Sequence, residues 1–196
     1  MTELLYGDVF DFPVVKLICS HEIYSNPTIA VGLDTIFSSN RVKKNQLSWS
    51  TCPISGSLND IQNIPNISPL LSWISASILK NRTSFGNPDA RTVTFTRGWT
   101  NRMFKGCANQ CHTHAAPADG VAVFYHSVPD TDSSNLVLIK NGQDETPINM
   151  YPEEDCYYLE VKTGDLVIHH RSIPHAVSRH NNDEPRTCIV LNFALS

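Results

Sequence analysis

A chain of 196 residues with 41% hydrophobic and 17% charged residues has the size and composition of one globular domain with a sizeable core. Its formal net charge of -4, from 19 acidic and 15 scattered basic residues, sets up no cationic field for a nucleic-acid backbone. No segment approaches the roughly 18 uninterrupted apolar residues of a membrane span, so neither nucleic acid nor a membrane is an expected partner.

The N-terminal "MTELLYGDVFDFPVVKLICS" carries acidic residues where a secretory signal needs basic ones, and Asp8, Asp11 and Pro13 interrupt its apolar stretches. Its second half, "DFPVVKLICS", reads as extended. In "SNPTIAVGLDTIFSSN", Asn26 as cap, Pro27 at the first position and Ile29, Leu33, Ile36 and Phe37 on one side predict a helix. A second helix is predicted in "SPLLSWISASILKNR", where Ser68 can cap and Leu70, Trp73, Ile74, Ser77 and Ile78 follow the helical spacing.

Near residue 88 the period changes to two. "RTVTFTRG", "GVAVFYHS", "NLVLIK", "CYYLEV", "DLVIHH" and "TCIVLNFAL" are short, β-branched or aromatic, and bounded by Gly, Pro, Asn or Asp. The expected fold is mainly β with flanking helices: a β-sandwich or jelly roll with the helices on one outer face. Residues 1–88 form its helix-rich part and 89–196 its β core, within a single domain over 1–196. The polar stretch 141–155, "NGQDETPINMYPEED", reads as a long loop of the kind that lies over active sites.

Six cysteines, at 19, 52, 107, 111, 156 and 188, follow no framework spacing, and a cytoplasmic protein with reduced thiols is expected. Cys107 and Cys111 have no second thiol pair downstream, so free thiols are favoured over a zinc clip.

Seven of the eight histidines fall in the β-rich part. On extended backbone residues i and i+2 face the same way, so His112 and His114 form a chelate-compatible pair. The strand-turn-strand "GDLVIHHRSIPHAVSRH" offers His175 as a third ligand after Pro174. Three protein ligands on one face of an octahedron leave positions open for a bidentate cosubstrate and dioxygen, as in non-heme Fe(II) oxygenases.

"RGWTNRMFKGCANQCHTHAAPADGVAVFYHSVPDTDSSNLVLI", then "GDLVIHHRSIPHAV", then "RTCIVLNFAL", resemble in order and spacing the 2-oxoglutarate/Fe(II) oxygenases of bacteria and phages, which adopt the double-stranded β-helix, a cupin-like jelly roll. The likeness covers about residues 91 to 195. It implies an Fe(II)- and 2-oxoglutarate-dependent dioxygenase that hydroxylates a C–H bond of an unidentified small-molecule or peptide substrate. Its iron ligands and catalytic residues would be His112, His114 and His175, with His114 standing where better-known enzymes of this fold have Asp. Arg186, eleven residues after His175, would grip the distal carboxylate of 2-oxoglutarate, since its planar fork makes two charge-assisted hydrogen bonds and cannot lose its charge. Tyr125 and Asn192 would line the same cosubstrate pocket. The chain departs from the family at His169 and His170, where an aromatic residue and a proline are usual. Dioxygen is the implied second partner, and a homodimer is an allowed assembly.

Gly106, His112, His114 and Asp119 also resemble the first cupin motif, and Gly164 to His175 the second. That alternative is a cupin-type metalloenzyme using Fe, Mn or Ni without 2-oxoglutarate, with Asp119 as an added or replacement ligand. Arg186 separates the two readings, because a cupin has no need of it. A third reading, from another class, is a non-catalytic β-helix module that binds a small molecule or partner chain.

Overall fold

The computed structural model describes residues 2–7, 9–39, 43–44, 48–50 and 57–196. Its elements in chain order are β1 (Thr2–Leu5), β2 (Val14–Ile18), α1 (His21–Tyr24), α2 (Pro27–Ser38), β3 (Lys43–Lys44), β4 (Ser48–Ser50), α3 (Ser57–Gln62), α4 (Ser68–Lys80) and β5 (Val93–Met103). They continue as β6 (Asn109–His112), β7 (Gly120–Ser127), β8 (Leu136–Ile139), β9 (Cys156–Leu159), β10 (Asp165–His170), β11 (His175–Val177) and β12 (Arg186–Leu195).

The strands form two antiparallel sheets: a large one in the order β1-β2-β10-β7-β12-β5-β4-β3 and a small one in the order β6-β11-β8-β9. This is the expected mainly-β sandwich, of double-stranded β-helix type. Alternation along each central strand decides which residues face which layer. Ala122 and Phe124 of β7, Leu166 and Ile168 of β10, and Ile189, Leu191 and Phe193 of β12 pack outward with Ile29, Leu33 and Phe37 of α2 and Leu70, Ile74 and Ile78 of α4. Their neighbours in the chain, Val121, Val123 and Tyr125, Val167, and Cys188 and Val190, point inward toward Leu136 and Leu138 of the small sheet.

The helices start for local reasons. Asn26 accepts a hydrogen bond from the Thr28 backbone N–H at 3.1 Å, and Pro27 occupies the first helical position of α2. Ser68 does not cap α4 as expected. Ile67 before it already has helical dihedrals (φ -75°, ψ -23°), held by its N–H to the Ile64 carbonyl at 3.2 Å, so the serine falls inside the helix. Gly164 opens β10 at φ +91° with the Tyr24 ring beside it, a conformation that favours glycine.

The 141–155 stretch contains no strand, only two short 3-10 turns at 148–150 and 153–155. It is nonetheless tied to β6: Cys111 N–H donates to the Thr146 carbonyl at 3.0 Å and Glu145 N–H to the Cys111 carbonyl at 2.8 Å. Cys107 and Cys111 belong to different apolar clusters, the first with Met103 and Val177, the second with Val137, Ile139 and Ala176. Both are free, as are Cys19, Cys156 and Cys188, whereas Cys52 lies outside the described residues. Among the described residues no helix is long and apolar enough to cross a membrane.

Candidate metal centre and cosubstrate pocket

His112 and His175 are direct register partners, one at the end of β6 and the other at the start of β11. Their rings lie 4.3 Å apart between centroids. Each ring is oriented by its own backbone: Nδ1 of His112 lies 3.0 Å from the Gln110 carbonyl and Nδ1 of His175 lies 3.0 Å from the Ile173 carbonyl. A carbonyl accepts only from a protonated nitrogen, so both Nε2 atoms present lone pairs, the usual device that orients histidine ligands.

His114 lies just past the end of β6, where its N–H donates to the Arg171 carbonyl at 3.1 Å. Its ring stacks on that of His175 at 5.1 Å and 3°, with the two Nε2 atoms 3.3 Å apart. Two nitrogens bound at a right angle to one ion, each about 2.1 Å from it, lie about 3.0 Å apart. One ligand atom from each of His112, His114 and His175 falls within 4.8 Å of the others. Burial, then the nearby imidazoles His169 and His112, holds His114 down to about 3; burial likewise keeps His175 well below the ordinary histidine range. Both rings are therefore neutral at pH 7, the form that binds a cation.

A fourth imidazole stands beside them. His169 of β10 faces inward in the phase of Val167; its ring centroid is 4.4 Å from that of His175 and 6.2 Å from that of His114. Its Nδ1 lies 3.0 Å from the His170 carbonyl, while its Nε2 is buried without a hydrogen-bond partner. Burial holds it at about 4. Sequence reasoning did not place His169 in the site, although the alternation of "DLVIHH" and its pairing with Val121 carry that signal. His170 turns outward and stacks on Phe12 at 3.9 Å.

Asp119 is not with the histidines. Its Oδ2 accepts from the Leu195 N–H at 2.7 Å and its own N–H donates to the Phe193 carbonyl at 2.8 Å. The carboxylate is spent on the far end of β12, on the side where Gly120 packs under the Phe193 ring. The alternative in which Asp119 joins the metal ligands is corrected on that ground.

From the three histidines a cavity of about 690 Å³ runs inward between the sheets, lined among others by Tyr125, Arg186 and Asn192. Arg186 is 2% exposed. Its Nη1 donates to the Met103 sulfur at 3.2 Å, its Cζ lies 4.7 Å over the Tyr125 ring, and its Nε has no partner. No carboxylate pairs with it among the described residues. A buried cation without a counter-charge is unfavourable by several kcal/mol, and an anion entering the cavity would relieve that. The Tyr125 hydroxyl and the Asn192 carbonyl oxygen are also buried and unpartnered. Burial pushes the tyrosine hydroxyl up, against the pull of Arg186, so it stays a neutral donor. Trp99 is half-buried and stacks on His114 at 5.8 Å, a wall of this cavity rather than a purely core residue.

Residues 97–192 match the family described as "Putative 2OG-Fe(II) oxygenase". None of the curated proteins matches the chain. Among solved structures, the chain is similar to EctD from S. alaskensis with 2-oxoglutarate and 5-hydroxyectoine (TM-score 0.64, 13% identity, 95% of this chain and 74% of that one). It is also similar to AviO1 from Streptomyces viridochromogenes (0.62, 12%, 99% and 96%). A third is HygX from Streptomyces hygroscopicus with nickel, 2-oxoglutarate and hygromycin B bound (0.61, 9%, 96% and 85%). At these identities the likeness is one of fold.

Proposed function

The chain belongs, through residues 97–192, to the 2OG-Fe(II) oxygenase family, and from that premise we propose that it hydroxylates a C–H bond of a small polar molecule. In this reading His112, His114 and His175 hold the iron, and Arg186, Tyr125 and Asn192 hold 2-oxoglutarate. The residues fit the two groups: three nitrogen donors converge at one point, and a buried guanidinium with no carboxylate partner among the described residues lines the adjoining cavity. That uncompensated arginine carries the reading.

Bound Fe(II), with 2-oxoglutarate and dioxygen, supplies the oxidation that converts C–H to C–OH as the cosubstrate is decarboxylated. The protein's part is orientation and charge. The backbone carbonyls of Gln110 and Ile173 fix two imidazoles in the tautomer that offers Nε2. Three neutral ligands leave the cation's double charge undiminished, where a carboxylate ligand would halve it, and that favours an anionic chelator. Arg186 would fix the far carboxylate, and its buried setting against the Tyr125 ring and the Met103 sulfur would strengthen the charge-assisted bonds by excluding water. In this reading the Tyr125 hydroxyl and the Asn192 side chain, each with a buried atom that lacks a partner, would take up the cosubstrate's remaining hydrogen bonds.

A small molecule is favoured over a peptide because the cavity runs between the two sheets and is of ordinary ligand size. The small molecules bound in the EctD and HygX structures point the same way. Free described cysteines support a reducing compartment, and we assign the protein to the cytoplasm.

The test is an anaerobic titration of metal-stripped protein with Fe(II) and then 2-oxoglutarate, followed by visible absorption. A weak band that requires both additions and disappears in Arg186→Ala and His175→Ala is expected. Iron uptake without a band on adding 2-oxoglutarate would favour the cupin-type reading instead.

A further inference from the structure

The inner face of β5 acts as a ruler through the cavity. Met103 at one end contacts Arg186, with its sulfur accepting the Nη1 hydrogen bond. Four residues back, Trp99 stacks on His114, and Asn101 lies between them on the same wall. Two residues further, beyond the histidines and on the side away from Arg186, comes Arg97.

Simple alternation would put only one of residues 96 and 97 on that wall, yet both line the cavity. The register explains why. Arg97 pairs with Asn192 and Phe95 with Phe193, leaving Thr96 as an extra residue on β5. This bulge sends Val93 and Phe95 to the helix-side core while turning Thr96 and Arg97 together into the cavity mouth, the re-aiming that bulges beside functional sites perform. Arg97 is exposed there. Among the described residues no acid pairs with it, not even Glu145, which lines the same cavity.

We propose that Arg97, with Thr96 beside it, is the substrate's anion site: the enzyme takes a small molecule bearing a carboxylate or phosphate, and oxidises a carbon one short chain away from it. The proposal rests on the oxygenase reading above and names its substrate class. Trp99 stacks on a candidate ligand histidine and Arg97 lies two extended residues further along the same wall, so the anion would be held a short chain's length from the reacting carbon. The two arginines then divide the work: the buried one is satisfied by the cosubstrate, and the exposed one remains for the substrate. A guanidinium suits the task because its fork binds both oxyanions bidentately. Solvent screening at the mouth limits its contribution to about five- to tenfold in affinity.

The experiment uses full-length protein loaded with Ni(II) and 2-oxoglutarate, which binds without turning over, and three probes of one skeleton: hexanoate, hexyl phosphate and hexan-1-ol. Dissociation constants are read by ligand-detected NMR. The anionic probes are expected to bind about five- to tenfold more tightly than the alcohol. Arg97→Gln should erase that preference and Arg97→Lys retain part of it, with the 2-oxoglutarate dissociation constant within twofold of wild type in both. Whichever anion loses more in Arg97→Gln identifies the favoured chemistry. No preference in the wild type, a preference that survives Arg97→Gln, or an equal loss of 2-oxoglutarate affinity would each overturn the assignment. Failure of the wild type to take up nickel and 2-oxoglutarate would instead bring down the oxygenase reading, and this one with it.

Discussion

The two faces of β12 are built from one run of residues and follow opposite rules. Outward, Ile189, Leu191 and Phe193 pack into an apolar cluster with side chains of α2 and α4. Inward, Arg186 and Asn192 bracket Cys188 and Val190, and both polar side chains keep atoms without partners. A period-two strand can seal a core with one set of side chains and hold unsatisfied chemistry with the other, because the backbone hydrogen bonds serve both. Truncation on the outer face should therefore cost stability, whereas truncation on the inner face should cost ligand affinity.

The largest expected effect belongs to the inner layer. His175→Ala should weaken Co(II) binding at least about 100-fold, measured by competition with a chelator, while the metal-free protein still unfolds cooperatively. Arg186→Met comes next: 2-oxoglutarate affinity should fall by about 100-fold, yet chemical denaturation of the metal-free protein should show equal or greater stability, since a buried uncompensated charge is replaced by an apolar chain. A loss of stability on that substitution would break the comparison. On the outer face, Leu191→Ala should destabilise by about 2 to 5 kcal/mol and leave the 2-oxoglutarate dissociation constant of the folded protein within about twofold.

A smaller effect follows from the buried imidazoles. His169 at about 4 and His114 at about 3 titrate below the unfolded-chain value of about 6.5. As pH falls through 6.5 the unfolded chain takes up protons that the folded one refuses. The metal-free protein should hold its full stability above about pH 6.5 and lose up to about 1.4 kcal/mol per pH unit for each such histidine down toward pH 4. Denaturation series at several pH values should show a shallower decline in His169→Phe. The smallest change is expected of Asp119→Asn, which loses about 1 kcal/mol of a charge-assisted bond to Leu195 and leaves metal affinity unaltered; a weakened metal site there would return Asp119 to the ligand set.

Much of this was legible in the chain. Cap chemistry placed α2 at Asn26 and Pro27, and the change to period two near residue 88 announced the sheets. What stayed hidden depended on neighbours distant in sequence. Ser68 looks like a cap until Ile67 is seen to be helical already. By spacing alone His114 shares a strand face with His112, but β6 stops at residue 112 and a bond to Arg171 sets its direction. Asp119 has the spacing of a cupin ligand, and only the approach of Leu195 shows where its carboxylate goes. The re-aiming of Arg97 depends on a count of residues against β12, which no local pattern encodes.

Local sequence sets the alternation of each strand, the start of α2 at Asn26 and Pro27, and an order of histidines and one arginine that suits a chelated iron. Only packing made His112 and His175 cross-strand partners, set His169 behind them, and buried Arg186 with no acidic partner among the described residues. The reason is physical. Alternation and capping arise within a few residues of backbone, whereas register, bulges and the pairing of buried charges are settled only when strands some sixty residues apart meet side by side.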